Sequence, residues 1–342
     1  MSAIDTLDIT VLTDYLNQHI PAFGSLSSAE KFSGGQSNPT FLLTADSGRY
    51  VLRRQPPGKL LPSAHAVDRE YRVLSSLKDT DVPVAKALHL CEDTSIIGSM
   101  FYVMEFLDGQ VFWNPALPEL QDDKRANIFT QMSEVLAAIH SVDLSAVGLL
   151  DYGKAGNYFE RQIGRWTKQY KASEIETIKE MDQLIQWLET HTPADDGKVS
   201  LVHGDYRLDN VMFNHGHDQI IAVLDWELST LGHPYADLAY QCMTLRLPGG
   251  IGNMSGLMGL NRAELNIPSE QEYIARYCER MNIDSIPNWS FYLAFSFFRL
   301  AAIAQGVAKR AQSGNASNKE AAKVGSFVQP LAQMALQVIH SE

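Results

Sequence analysis

Residues 201 to 227, LVHGDYRLDNVMFNHGHDQIIAVLDWE, decide how this chain reads. Leu201 and Val202 lead into His203, Gly204 and Asp205, and Asn210 follows five residues after Asp205. An apolar trio, a polar turn from Asn214 to Asp218 and a second apolar run from Ile220 to Leu224 then deliver Asp225. Short apolar runs bounded by turn residues predict loop, strand, turn, strand. Phosphoryl transfer needs a carboxylate beside the attacking hydroxyl and oxygen ligands that hold magnesium against nucleotide phosphates. HGDYRLDN followed by LDW supplies both. Asp205 accepts or orients the hydroxyl proton, Asn210 offers an amide oxygen to the metal, and Asp225 is the main carboxylate ligand. Asp209 is the decoy in the set. Each of these residues alone is an ordinary turn residue near a strand; their joint spacing is not.

These residues resemble the aminoglycoside phosphotransferase and choline kinase branch of the protein-kinase-like fold, whose catalytic loop has HGD where protein kinases have HRD. DWELSTLGHPYADLAY at 225 to 240 extends the resemblance to the kinase-like domains fused to acyl-CoA dehydrogenases. The resemblance implies an α+β, bilobal fold. A small antiparallel-sheet lobe, residues 1–105, binds the nucleotide, and a larger, mainly helical lobe, residues 106–342, carries catalysis and the acceptor. It further implies ATP and Mg2+ as cofactors and a functional link to an acyl-CoA dehydrogenase.

The bulk properties agree with a large core: 342 residues, 45% hydrophobic. No apolar run approaches the roughly 20 residues that span a bilayer, and MSAIDTLDIT at the N-terminus lacks a basic leader, so a cytoplasmic location is expected. Cys91, Cys242 and Cys278 form no metal-type pair, which fits reduced thiols. A net charge of −12 argues against a nucleic-acid partner. Its distribution is uneven: Ser285 to Lys319 holds Arg299, Lys309, Arg310 and Lys319 and no acidic residue. A local positive patch in an acidic chain points to an anion.

Taken in order, residues 8–20 predict a short amphipathic helix. KFSGGQSNPTFLLTADSGRYVLRRQPPG then reads as a hairpin of strands at Phe41–Ala45 and Tyr50–Arg53, preceded by a glycine tip. That tip is expected to act as a lid whose backbone N–H groups face nucleotide phosphates, through Gly35, Gln36, Ser37 and Asn38. Where the fold carries a strand lysine, this chain has Arg53, which holds the charge but is not interchangeable with a compact ammonium. Arg54 belongs to the opposite sheet face. Glu70, on a helix over 64–77, is the expected partner of Arg53. By the resemblance, FYVMEFLDG is the interlobe hinge, where adenine meets the backbone of Glu105 and Leu107 with Met104 behind it.

Helices are predicted over Asp122–His140, 155–171 and 174–190, the last two being either scaffold or part of the acceptor pocket. Glu227 is a second-rank candidate for metal-bound water or the acceptor. Asp237 is expected to brace the catalytic loop from the start of its helix. PGGIGNMSGLMG at 248–259 is too glycine-rich for regular structure, and Ser269 with Glu272 forms a capping box. The apolar helix from Asn288 to Ser313 sets Arg299, Ile303, Gly306 and Arg310 on one face, its two guanidiniums about 16 Å apart by the helical rise. That face suits an extended anionic acceptor.

The expected activity is therefore ATP-dependent phosphorylation of a small-molecule hydroxyl, with a hydroxyacyl-CoA or related hydroxy acid as the acceptor implied by the resemblance. Two alternatives stand beside it. One is an aminoglycoside kinase, which would want an acidic acceptor cleft; the other is a nucleotide-binding regulatory module without turnover, suggested by Arg53. Preference for ATP over GTP and the oligomeric state stay open.

Overall fold

The computed structural model describes residues 7–32, 38–56, 65–249, 255–312 and 324–341. The expected lid residues Gly35, Gln36 and Ser37 lie outside them. The chain divides into two compact units: Met1–Gln110 with Ser145–Leu149 and Val211–Ser229, and Val111–Leu144 with Leu150–Asn210 and Thr230–Glu342.

The first unit is built on an antiparallel sheet of β1 (Leu26–Lys31), β2 (Thr40–Ala45), β3 (Gly48–Arg54), β4 (Ala87–Cys91) and β5 (Phe101–Glu105). Their order is β1-β2-β3-β5-β4. Alternation along the strands sends Phe41, Leu43, Leu52, Phe101 and Val103 into one core, which Leu12 and Leu16 of α1 (Ile9–His19) close. The Asp8 carboxylate caps α1 by accepting the Val11 N–H. On α2 (Val67–Leu77) the buried stripe of Val67, Val73, Leu74 and Leu77 includes one charged member, Glu70. A hairpin of β7 (Val211–Phe213) and β8 (Ile220–Val223) completes the unit, and the chain leaves β8 for Asp225.

The second unit is mainly helical among its described residues. It holds α3 (Asp122–His140), α4 (Tyr158–Ser173) and α5 (Lys179–Thr190), then α6 (Tyr235–Leu245), α7 (Glu270–Arg280), α8 (Trp289–Gln312) and α9 (Val328–His340). A short antiparallel pair, β6 (Ser200–Val202) and β9 (Thr230–Gly232), leads into the loop that begins at His203. Three helices start later than periodicity suggests, α2 at Val67 rather than 64 among them. Asn157 at φ 44° and Gly156 at φ 74° hold α4 back to Tyr158, and α5 begins at Lys179 rather than 174. The capping box at Ser269 forms as expected. Gly232 is required by contact, because a Cβ there would lie 2.4 Å from the Tyr158 ring.

By length and composition α8 is apolar enough to cross a membrane, which differs from the expectation that no such run exists. Its apolar window is 83% buried inside the protein, as a central core helix would be, with α4, α6 and α9 packed on it.

Candidate active site

In the first unit the sheet and α2 bring four of the expected residues together. Arg53 Nε lies 2.8 Å from Glu70 Oε2, and its NH2 lies 2.6 Å from Asp225 Oδ1 and 3.9 Å from Glu227 Oε2. The separation in sequence between Arg53 and Asp225 is 172 residues, so no local pattern encodes the contact. Arg53 and Arg54 point to opposite faces of β3, and Arg54 donates instead to Ser99 Oγ at 2.9 Å. Glu70 is 2% exposed and accepts from Asn38 Nδ2 at 2.9 Å and from the Tyr102 hydroxyl at 3.0 Å. Asn38 is itself buried, and His65 Nδ1 sits 3.1 Å from its Oδ1. Its amide thus holds the Glu70 carboxylate in this structure.

Burial is the largest influence on both members of the Arg53–Glu70 pair. It raises the Glu70 carboxyl above its ordinary range, since three hydrogen-bonding or charged partners do not fully offset it. It opposes the charge on Arg53, yet Glu70 foremost, with Asp225 and Glu227 among the rest, reverses the effect and raises that guanidinium. Asp225 adopts left-handed backbone, φ 60° and ψ 63°, which aspartate tolerates better than most residues. Oxygens of Glu70, Asp225 and Glu227 lie within 4.8 Å of one another. An all-oxygen set with two partly exposed carboxylates suits a hard divalent cation such as magnesium.

On the expected hinge, Met104 and Glu105 end β5 opposite Val51 and Tyr50. The Glu105 N–H donates to Lys86 O at 3.0 Å, and its carboxylate accepts the Lys86 N–H at 2.8 Å. Leu107 follows the strand, and among the described residues its N–H makes no hydrogen bond.

In the second unit, β6 delivers His203, Gly204 and Asp205 into a loop that α6 fastens. Asp237, in the first turn of α6, accepts the His203 N–H at 2.6 Å and the Gly204 N–H at 2.8 Å. This is the bracing role expected of it. His140 Nε2 lies 3.4 Å from the same carboxylate, and His140 Nδ1 lies 2.7 Å from the Tyr277 hydroxyl. Burial pushes the Asp237 carboxyl up, but the His140 hydrogen bond and charge, the His203 charge and the Gly204 N–H outweigh it and leave it depressed. Asn210 Nδ2 donates to Asp205 O at 2.8 Å and to Asp205 Oδ2 at 2.9 Å, which turns the amide oxygen away from that carboxylate. The Asp205 N–H meets His203 Nδ1 at 3.2 Å.

Arg207 within the loop, Tyr240 beside it and Trp166 beyond Tyr240 add contacts that were not expected from the sequence. Arg207 pairs with Asp209 at 2.6 Å and reaches to 3.7 Å from Asp205 Oδ2, so Asp209 positions a cation beside Asp205. Tyr240 of α6 is buried against Asp205. Burial first and that neighbouring carboxylate second raise its phenol well above the ordinary value. Trp166 of α4 meets Arg299, whose guanidinium carbon lies 5.6 Å from the Trp166 ring and 5.3 Å from the Tyr240 ring. Only the position of Arg207, two residues after Asp205, offers a sequence signal; an aromatic on a helix face reads as core. Arg310 is exposed, near Gly306. A cavity of about 20 Å³ adjoins the loop, lined by Trp113, Arg207, Asp209, Gln241, Thr244 and others. The larger hollows of about 620 and 790 Å³ contain no residue of the loop.

The sequence profile of the phosphotransferase enzyme family, APH, matches residues 28–264. The chain belongs to this phosphotransferase family. It is 48% identical over 305 residues, 89% of its length, to acyl-CoA dehydrogenase family member 10 of Mus musculus. Those residues make up 28% of that relative, so the chain spans under a third of it. A crystal structure from Ralstonia eutropha JMP134, assigned provisionally as an aminoglycoside phosphotransferase, is 47% identical with a TM-score of 0.90, covering 98% of this phosphotransferase and 99% of that chain. At 17% identity and a TM-score of 0.61, aminoglycoside phosphotransferase APH(4)-Ia, solved with AMP-PNP and hygromycin B, shares the fold alone over 96% and 98% of the two chains. The phosphotransferase is thus an α+β protein of the kinase-like fold.

Proposed function

We propose that this phosphotransferase moves the γ-phosphoryl group of ATP to a hydroxyl of a small molecule, with a hydroxyacyl-CoA or related hydroxy acid as acceptor. The observation that carries the reading is the fastened HGD loop: Asp237 accepts both of its leading N–H groups, and Asn210 orients the Asp205 carboxylate. A carboxylate so held is preorganised to take or direct a hydroxyl proton. In the first unit Asp225 and Glu227, through their carboxylates, are the residues that would hold magnesium. Magnesium, when bound, neutralises charge on the transferring phosphoryl group. Arg53, held by Glu70, supplies the cation expected for the phosphates, and the Leu107 N–H is the group left for adenine.

The acceptor class is supported by the acid-free run from Ser285 to Lys319, by buried Arg299, and by the dehydrogenase relative. The Ralstonia structure's provisional assignment keeps an aminoglycoside in the test. The experiment is ADP release with ATP and magnesium, comparing 4-hydroxyacyl-CoA esters, free hydroxy acids and an aminoglycoside. A CoA-ester or hydroxy-acid rate that disappears in Asp205→Asn is expected. Turnover with the aminoglycoside alone would overturn the acceptor class. Nucleotide binding without turnover on any of them would favour a regulatory role.

A further inference from the structure

We infer that Arg299 and the Trp166 indole N–H form a recognition site for one anionic group of the acceptor, a carboxylate or a phosphate, beside the catalytic loop. The inference rests on the phosphotransferase reading and narrows its acceptor to an oxyanion.

Arg299 stands in the middle of α8 and is 8% exposed. Among the described residues it makes no ion pair and no hydrogen bond; the rings of Trp166 and Tyr240 lie against it, and its charge also acts on the Tyr158 phenol. A buried charge is ordinarily paired, because desolvation without a partner is strongly unfavourable. Ring contacts offset part of that penalty. With no acceptor among the described residues, its N–H donors suit a planar or tetrahedral oxyanion. The second observation is independent. Trp166 Nε1 is buried with no hydrogen-bond partner, on the same side chain that meets Arg299. Among the described residues the Trp166 indole N–H therefore lacks an acceptor, and Arg299 beside that ring lacks a counter-charge.

The position suits an acceptor. Tyr240 meets Arg299 and also neighbours the Asp205 carboxylate, so the anion site and the proposed base adjoin the same phenol. An acceptor anchored there by its acidic end presents a hydroxyl a few bonds away to Asp205. A polycation finds the opposite of what it needs.

The test compares acceptors that differ only in charge, a hydroxy acid and its neutral amide, with the matching CoA ester as the phosphate-bearing arm. For each, kcat/KM is measured with wild type, Arg299→Gln and Arg299→Lys. We expect Arg299→Gln to lose about 10- to 100-fold on the anionic acceptor that Arg299 holds, the range of a charge-assisted hydrogen bond, chiefly in KM. Loss on the amide should be small, with Arg299→Lys restoring part of the difference. Loss confined to the hydroxy acid assigns a carboxylate, and loss confined to the CoA ester assigns a phosphate. Equal losses on charged and neutral acceptors would mean a packing role and overturn the inference, as would no loss. Because both acceptors are compared on one protein, impaired folding of a variant cancels. Binding is read separately from Trp fluorescence in Asp205→Asn, titrated with the hydroxy acid, the amide and the CoA ester. Charge-selective binding that Arg299→Gln abolishes supports the site even if no acceptor turns over, whereas charge-blind binding or none refutes it.

Discussion

At Arg53 a single side chain answers three carboxylates, and its removal should be felt in stability. Arg53→Met leaves Glu70 buried without its cation, and losing one partner of a buried pair costs about 3–5 kcal/mol. Urea unfolding measures it, and a loss under about 1 kcal/mol would show that Asn38 and Tyr102 suffice. Asp205→Asn and Asp225→Asn should separate the roles of the two aspartates. The first is expected to lower turnover by roughly 100- to 10,000-fold with nucleotide binding kept; the second should weaken magnesium-dependent nucleotide binding. Calorimetric titration with ATP, with and without magnesium, checks the division, and similar losses of binding in both variants would contradict it. The pairing of Arg53 with Glu70 was legible from the strand and helix motifs by resemblance. The burial of Asn38 against Glu70 was not, because a residue beside a glycine tip gives no sign of which way it turns. Tyr240 and Trp166 were illegible for a different reason: their helices carry aromatics as core, and only tertiary packing reveals the cation between them.

Among the elements, the brace from α6 to the catalytic loop makes the sharpest prediction. The Asp237 carboxyl is depressed in the folded protein, so its contribution to stability is present above its unfolded value of about 3.9 and is lost as pH falls through the lower folded value. Asp237→Asn should remove this part of the acid transition and lower stability at neutral pH by about 1.5–3 kcal/mol, the range for hydrogen bonds to a charged group. Thermal melts between pH 2 and 7 test it, and parallel curves for variant and wild type would count against it. At β9, Gly232→Ala should destabilise by about 1–3 kcal/mol through overpacking on Tyr158; an unchanged melting temperature would mean the ring moves aside freely. The polar β1 and the three-residue β9 were not expected, whereas the β2–β3 and β7–β8 strands, the capping box and the long helices followed their periodicity closely. The late starts of α4 and α5 did not, since apolar residues continue the pattern upstream while Gly156 and Asn157 break the backbone.

For the molecule as a whole, binding the expected cofactors should stabilise the folded state. At about 100 times the dissociation constant, magnesium with ATP adds about 2.7 kcal/mol, read as a rise in melting temperature that chelation of the metal abolishes. No rise would contradict nucleotide binding by the folded chain. The connectivity of the two units carries a consequence for how the protein is made. Val211–Ser229, which holds Asp225 and Glu227, belongs to the first unit but is synthesised after α3, α4, α5 and the catalytic loop. Emerging from a ribosome, the sheet and α2 must wait for most of the polypeptide before Arg53 meets its distant carboxylate. A gene cut after residue 110 therefore yields a fragment lacking the β7–β8 hairpin, and separate expression of the amino-terminal and carboxy-terminal halves cannot reproduce the two units as independent modules.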